Sequence, residues 1–345
     1  MNAWRDQLEA WGAIRDPDGN VAHFGTPTDE LRDVLTASTL TVTERSRRIR
    51  VSGKDHREFL QAQLTSNVLG LDAEQTQTSA WLTPKGQVRC VLDLLGGEAW
   101  VDLIMPADRI DALLKTLSMF VLRAKVIFTE MTPDEPMLGL AGPGADTVAT
   151  TRVGELAEGQ AAISTSGTTY WRLRGRLPRF LLTGTLEAIT AERAALSRVP
   201  LAGNSAWHLA GLEAGIPSLT SETAERYIPQ MLNLDELDAI SFDKGCYPGQ
   251  EIVARTRYLG RLKRRLYRGQ VTGGAPSILS GLRAQDGGKE KQGEIVDCAP
   301  THQPHTWKVL SVANVMLGST TVDLGETEPA SEVVLDPVAH GSSSV

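Results

Sequence analysis

The chain has 345 residues, 41% of them apolar, and a formal net charge of −7, which suits two or three domains with cores of their own. That acidity excludes non-specific nucleic-acid binding over the whole surface and leaves only a local basic patch for any such contact. Three widely spaced cysteines, Cys90, Cys246 and Cys298, form no C-x-x-C pair; they exclude a disulfide framework and a four-cysteine zinc site and point to a reducing compartment.

Trp4, Leu8 and Trp11, at i, i+4 and i+7, predict a short amphipathic helix that docks on the body, without the order of a signal peptide. No apolar run reaches membrane-span length, so the expectation is a cytoplasmic protein. A polar loop with Pro17, Gly19, Gly25 and Pro27 follows. Residues 40–42 and 48–51 read as strands, 56–64 as a helix, and 79–83 as a strand turned by Pro84-Lys85-Gly86. Residues 88–95 and 99–105 read as a hairpin through Gly96-Gly97, 108–122 as a helix and 125–129 as a strand. A second block has the same grammar: a strand at 137–141, a helix from near Ala145, strands at 169–174 and 179–183, and a helix at 186–198. Short helices and strands with hairpins predict an α+β fold of split βαβ, ferredoxin-like lobes, not a doubly wound parallel sheet. Asn204 or Ser205 stands where it can cap a helix through Glu213, stopped by Gly215 and Pro217. Beyond Arg261 the strand-like stretches 266–271, 293–297 and 307–316 alternate with Gly-rich turns, predicting a small C-terminal β-barrel.

Reactive chemistry concentrates at Phe242-Asp243-Lys244-Gly245-Cys246-Tyr247-Pro248-Gly249-Gln250-Glu251. A reactive cysteine needs its thiolate, and a thiolate needs positive surroundings. Lys244 supplies a charge two residues from Cys246, and Asp243 opposes it. Gly245 and Gly249 remove side chains that would block access. Pro248 opens a short helix through Gln250, Glu251 and Ile252 whose free N–H groups would face the sulfur. On these residues alone the segment is either an activated thiol or a structural cysteine in a tight turn. The basic run Arg255, Arg257, Arg261, Lys263, Arg264, Arg265 and Arg268 has no acid within it. It reads either as an anion-binding surface or as a strand with a solvated face entering the barrel. Cys298, His302 and His305 carry zinc-type donors, but a fourth ligand is missing, and a surface loop is the simpler reading.

Lys244-Gly245-Cys246-Tyr247-Pro248-Gly249-Gln250-Glu251 resembles the K-G-C-[aromatic]-x-G-Q-E signature of the YgfZ-type folate-binding proteins, relatives of the aminomethyltransferase of the glycine cleavage system. The flanks are similar as well: residues 211–217 (GLEAGIP), 228–234 (IPQMLNL), 59–68 (FLQAQLTSNV) and 81–88 (WLTPKGQV). The resemblance spans roughly residues 40–320. It implies the aminomethyltransferase folate-binding fold: two interleaved lobes in residues 1–258, with a break near 130–135, a barrel at 259–338, a tail at 339–345, and a folate in the central channel. The implied function is that of a tetrahydrofolate-binding accessory protein, or one taking a one-carbon derivative, that supports assembly or repair of iron–sulfur enzymes, including tRNA-modifying ones. The implied partners are folate and iron–sulfur enzymes or assembly proteins; direct nucleic-acid binding and membrane contact are not expected.

Cys246 is then the working thiol with Lys244 beside it, and Gly245, Tyr247, Gly249, Gln250 and Glu251 form the signature loop. Glu213 matches the superfamily's pterin-contacting glutamate, since a carboxylate can accept two adjacent N–H donors; the alternative is a solvated helical glutamate. Trp81 and Tyr227 line the folate channel or fill the core, and Arg255 heads the basic run that would meet the polyglutamate tail. A resident iron–sulfur cluster needs about four protein ligands, mostly thiolates, and three scattered cysteines do not supply them. The alternative function is a folate-dependent one-carbon (aminomethyl-type) transferase. Its aspartate, in the strand after the P-K-G turn, falls on Cys90 or Val91 when read without gaps; Asp93 is out of step unless a gap of one or two residues is allowed.

Overall fold

The computed structural model describes residues 3–131, 136–285, 290–324 and 331–338. The expected tail at 339–345, and residues 132–135 of the expected break, lie outside them. The chain opens with α1 (Ala3–Ala10), β1 (Ile14–Arg15), β2 (Val21–His23), α2 (Pro27–Thr36) and β3 (Thr39–Val42). Next come β4 (Ser46–Ser52), α3 (His56–Gln61), β5 (Thr76–Leu82), β6 (Val88–Gly96), β7 (Trp100–Pro106), α4 (Ile110–Val121) and β8 (Ile127–Glu130). The second block is β9 (Met137–Ala141), α5 (Ala145–Val153), β10 (Ala161–Ile163), β11 (Thr169–Arg172), β12 (Arg179–Thr183), α6 (Leu186–Ala195) and β13 (Leu201–Ala202). Then follow α7 (Asn204–Ala214), α8 (Gln250–Tyr258) and the strands β14 (Arg264–Thr272), β15 (Gly281–Ala284), β16 (Lys291–Pro300), β17 (Thr306–Asn314), β18 (Thr320–Leu324) and β19 (Ser331–Pro337).

The fold is α+β. One sheet has the order β5-β6-β7-β4-β8, the other β10-β11-β12-β9-β3-β13, and β14-β17-β16-β15-β18-β19 close into a barrel. The lobes interleave because β3 pairs with β9, not with its chain neighbour β4. The sequence reading placed residues 40–42 and 48–51 in one block without assigning their partners, since apolar periodicity is the same whichever sheet a strand joins. The N-terminal helix is present with Trp4 and Leu8 buried. No helix among the described residues is long and apolar enough to cross a membrane.

Two local readings need correction. The polar loop after Pro17 contains α2, with Pro27 in its first turn beside Asp29 and Glu30. That is a helix-start pattern, and Leu31, Val34 and Leu35 supply its apolar stripe against α7. Gly203, not Asn204 or Ser205, precedes the first helical residue of α7. The Asn204 side chain instead donates to Val21 O and accepts from Arg45 N, tying α7 to the N-terminal segment. At its other end α7 stops as expected, with Gly215 in the left-handed region.

A candidate site in two parts: a signature loop and a central cavity

The signature loop is stitched to the first lobe by backbone-directed bonds. Thr65 Oγ1 donates to Ala239 O at 2.6 Å, and Ser241 N donates to Thr65 O at 2.9 Å. Lys244 Nζ donates to Leu64 O at 2.6 Å and Ser66 O at 2.8 Å, and it lies 5.1 Å from the centroid of the Tyr247 ring. Tyr247 is buried in the core between the units. Burial lowers the Lys244 pKa to about 7. The lysine thus holds the loop down, with its charge directed at two carbonyls.

Gly249 has φ +83°, and a Cβ there would stand 2.6 Å from the Gly86 Cα. The Pro84-Lys85-Gly86 turn and the signature loop therefore meet backbone to backbone, which only glycines permit. A Cβ at Gly245 would meet nothing within 4 Å. Cys246, between them, is exposed. The helix expected after Pro248 is longer than predicted, running to Tyr258, and its Gln250 N–H donates to Tyr247 O. Glu251 is exposed on its first turn. The other two thiols differ: burial pushes Cys90 upward and Cys298 to about 11, the latter helped by Asp297. Cys90 sits in the first-lobe core, and Cys298 packs against the barrel core.

The second part is a cavity of about 460 Å³ between the two sheets, α7 and the barrel. Strand alternation decides what faces it. Cys90 and Leu94 of β6 point into the first-lobe core, whereas Val91 and Asp93 line the cavity. Asp93 Oδ1 accepts from Thr78 Oγ1 at 2.9 Å, and its other oxygen has no hydrogen-bond partner among the described residues. Burial raises the Asp93 pKa, against the lowering effects of Arg179 and the Thr78 bond. Arg179 of β12 is 5% exposed, and its Nε is buried without a partner. Burial lowers its pKa, opposed by Asp93. The Arg179 guanidinium lies 5.5 Å from the Trp207 ring centroid. His208 and Asp297 complete the polar wall; Arg45 and Arg47 are exposed where the cavity opens. A half-buried carboxylate, a buried guanidinium with an orphan N–H and an indole face fit a flat, polar heterocycle.

The structure brings Cys246, Lys244, Gly245, Tyr247, Gly249, Gln250 and Glu251 together. It does not bring Glu213, Trp81, Tyr227 or Arg255 to this cavity. Glu213 meets Arg268 Nη1 at 2.9 Å and Lys308 Nζ at 3.0 Å, clamping α7 to the barrel. Trp81 is packed in the first-lobe core with Arg89 over its ring. The Tyr227 hydroxyl donates to Glu294 Oε1 at 2.7 Å. Arg255 is exposed on α8. The basic run is accordingly not one strand: Arg255 and Arg257 are helical, and only Arg264, Arg265 and Arg268 enter β14. Arg265 is paired with Asp235 and Glu236, and Arg257 lies 3.9 Å from the Phe242 ring centroid. Sequence reading missed Arg179, Trp207, His208 and Asp297, which belong to no common motif. Asp93 alone carried a signal, and strand parity was its key, because positions 91 and 93 share a face.

No protein-family model matches the chain. A protein from Colwellia psychrerythraea named tRNA-modifying protein YgfZ is 33% identical over 220 residues, covering 64% of this chain and 67% of that protein. The chain belongs to the YgfZ family. A YgfZ relative from Yersinia enterocolitica is 29% identical over 299 residues, or 85% of this chain and 89% of the relative. The fold is also that of the glycine cleavage system aminomethyltransferase T from Bartonella henselae, with TM-score 0.77 over 99% of this chain and 97% of that one at 16% identity.

Proposed function

We propose that this YgfZ-family protein binds tetrahydrofolate, or a one-carbon derivative, in the central cavity and supports iron–sulfur enzymes, tRNA-modifying ones among them, through the Cys246 thiol. The observation that carries the reading is the presence in one molecule of an exposed thiol on a tightly held loop and of an open-mouthed cavity lined by Asp93, Arg179 and Trp207. Asp93 and Arg179 would hold the heterocycle, Trp207 would cover a face, and Arg45 and Arg47 at the opening suit a carboxylate tail. The bound folate would supply one-carbon chemistry or act as an effector. One accessible thiol can hand over or protect a cluster in transit, whereas Cys90 and Cys298 lie in separate cores.

Asp93 favours a second reading, a one-carbon transferase, since a carboxylate of the strand after the P-K-G turn faces the cavity. The two readings separate in one pair of assays. Cys246→Ala is expected to abolish restoration of iron–sulfur enzyme activity in a deletion strain while leaving tetrahydrofolate affinity within about twofold. Full restoration by that variant would sink the accessory reading. Turnover of methylene-tetrahydrofolate with an amine, thiol or glycine-cleavage carrier acceptor would establish the transferase.

A further inference from the structure

His208 on α7 and Asp297 on β16 join one lobe to the barrel inside the cavity wall. His208 Nε2 lies 2.8 Å from Asp297 Oδ1, and Asp297 Oδ2 accepts from Ser218 N at 2.8 Å. Asp297 reaches this position because of an irregularity in the barrel. The β16–β17 register shifts between Ile295 and Asp297. Ile295 packs in the barrel interior and Val296 in the core outside it. Strict alternation would send residue 297 back inside. The bulge re-aims it outward, as bulges beside functional sites do, and Cys298 then takes the inward place.

The consequence is an imidazole with one nitrogen committed. A carboxylate on Nε2 sets the tautomer, leaving Nδ1 as the nitrogen that exchanges a proton. Nδ1 has no hydrogen-bond partner among the described residues, and His208 lines the cavity. The Ser218 N–H satisfies the second Asp297 oxygen. Burial acts to lower the His208 pKa, but Asp297 outweighs it and the net shift is upward, with Arg45 opposing. Glu44, Arg45 and Arg47 come to the same cavity from the β3–β4 region, Asp108 from the turn after β7, and Asp93 and Arg179 from β6 and β12.

We propose that His208, held by Asp297, is the cavity's proton donor, presenting Nδ1–H to an acceptor atom of the bound heterocycle, a ring carbonyl or ring-nitrogen lone pair of a reduced pterin. This rests on the reading of the cavity as the tetrahydrofolate site. The donor exists only as imidazolium, so ligand affinity is full below the His208 pKa and falls as pH rises through it, about tenfold per pH unit once the imidazole is neutral.

The test uses the full chain with ring-labelled histidine, of which there are six. The His208 signal is the one lost in His208→Gln. Its midpoint is expected above the free value of about 6.5, to drop in Asp297→Asn, and to rise when tetrahydrofolate saturates the protein. Tetrahydrofolate titrations by tryptophan fluorescence should weaken with rising pH in the wild type and be flat in His208→Gln. If tetrahydrofolate binds but the His208 midpoint is unmoved or falls, the donor assignment is overturned and the folate reading stands. If the wild type binds no tetrahydrofolate at any pH, both fall together. Asp297→Asn keeps the contact with Ser218 N, so it decides the matter should His208→Gln fail to fold.

Discussion

The signature loop and the central cavity manage polar groups in opposite ways. At the loop two strong donors are spent on structure: Lys244 on Leu64 and Ser66, and Thr65 of the first lobe on Ala239. The Cys246 thiol stands exposed. In the cavity the polar groups are left incomplete: Arg179 Nε is buried without a partner, and one oxygen of Asp93 and His208 Nδ1, on half-buried residues of the cavity wall, have none among the described residues. A buried polar group without a partner costs about 1–3 kcal/mol, so such incompleteness is tolerable where a ligand completes it. The contrast separates a part that reacts with something outside from a part that encloses something within.

The largest expected effect breaks the cavity alone. Asp93→Asn or Arg179→Met should weaken tetrahydrofolate binding by about 100-fold, near 2.7 kcal/mol, with the alkylation rate of Cys246 unchanged. Equal loss of thiol reactivity would merge the two parts into one site. Next, Gly249→Ala should lower stability by about 2 kcal/mol, because a Cβ there meets Gly86 and Thr83 backbone at 2.6 Å. Urea unfolding measures the loss, and faster Cys246 alkylation would report the loosened loop. A stability unchanged within error would mean that the two glycine turns are not in contact.

Lys244 gives a pH signature. Its folded pKa, about 7, lies below the 10.5 of an ordinary lysine, so between those values the unfolded chain holds more protons. Stability from this group is least below pH 7 and rises toward 10.5. Lys244→Met should flatten that rise in urea midpoints compared at pH 7 and 10. A slope that persists in the variant would assign it to other groups. Glu213→Ala should have the smallest effect, a few-fold loss of tetrahydrofolate affinity together with about 1 kcal/mol of stability, since its two barrel cations hold α7 in place. Unchanged affinity would mean that the clamp on α7 does not shape the cavity.

The α+β lobes, the barrel and the loop that carries Cys246 were legible in the sequence. Apolar periodicity, turn residues and a contiguous octapeptide are local signals, and local physics suffices to read them. It did not determine the pairing of β3 with β9, nor the run of α8 through Arg255 and Arg257, nor the direction in which Lys244 points. The cavity was decided by the tertiary structure alone. Asp93, Arg179, His208 and Asp297 lie on a first-lobe strand, a second-lobe strand, a helix and a barrel strand. Their meeting depends on which face of β6 turns toward the second lobe and on a one-residue bulge in β16, and both are matters of long-range packing that local patterns do not encode.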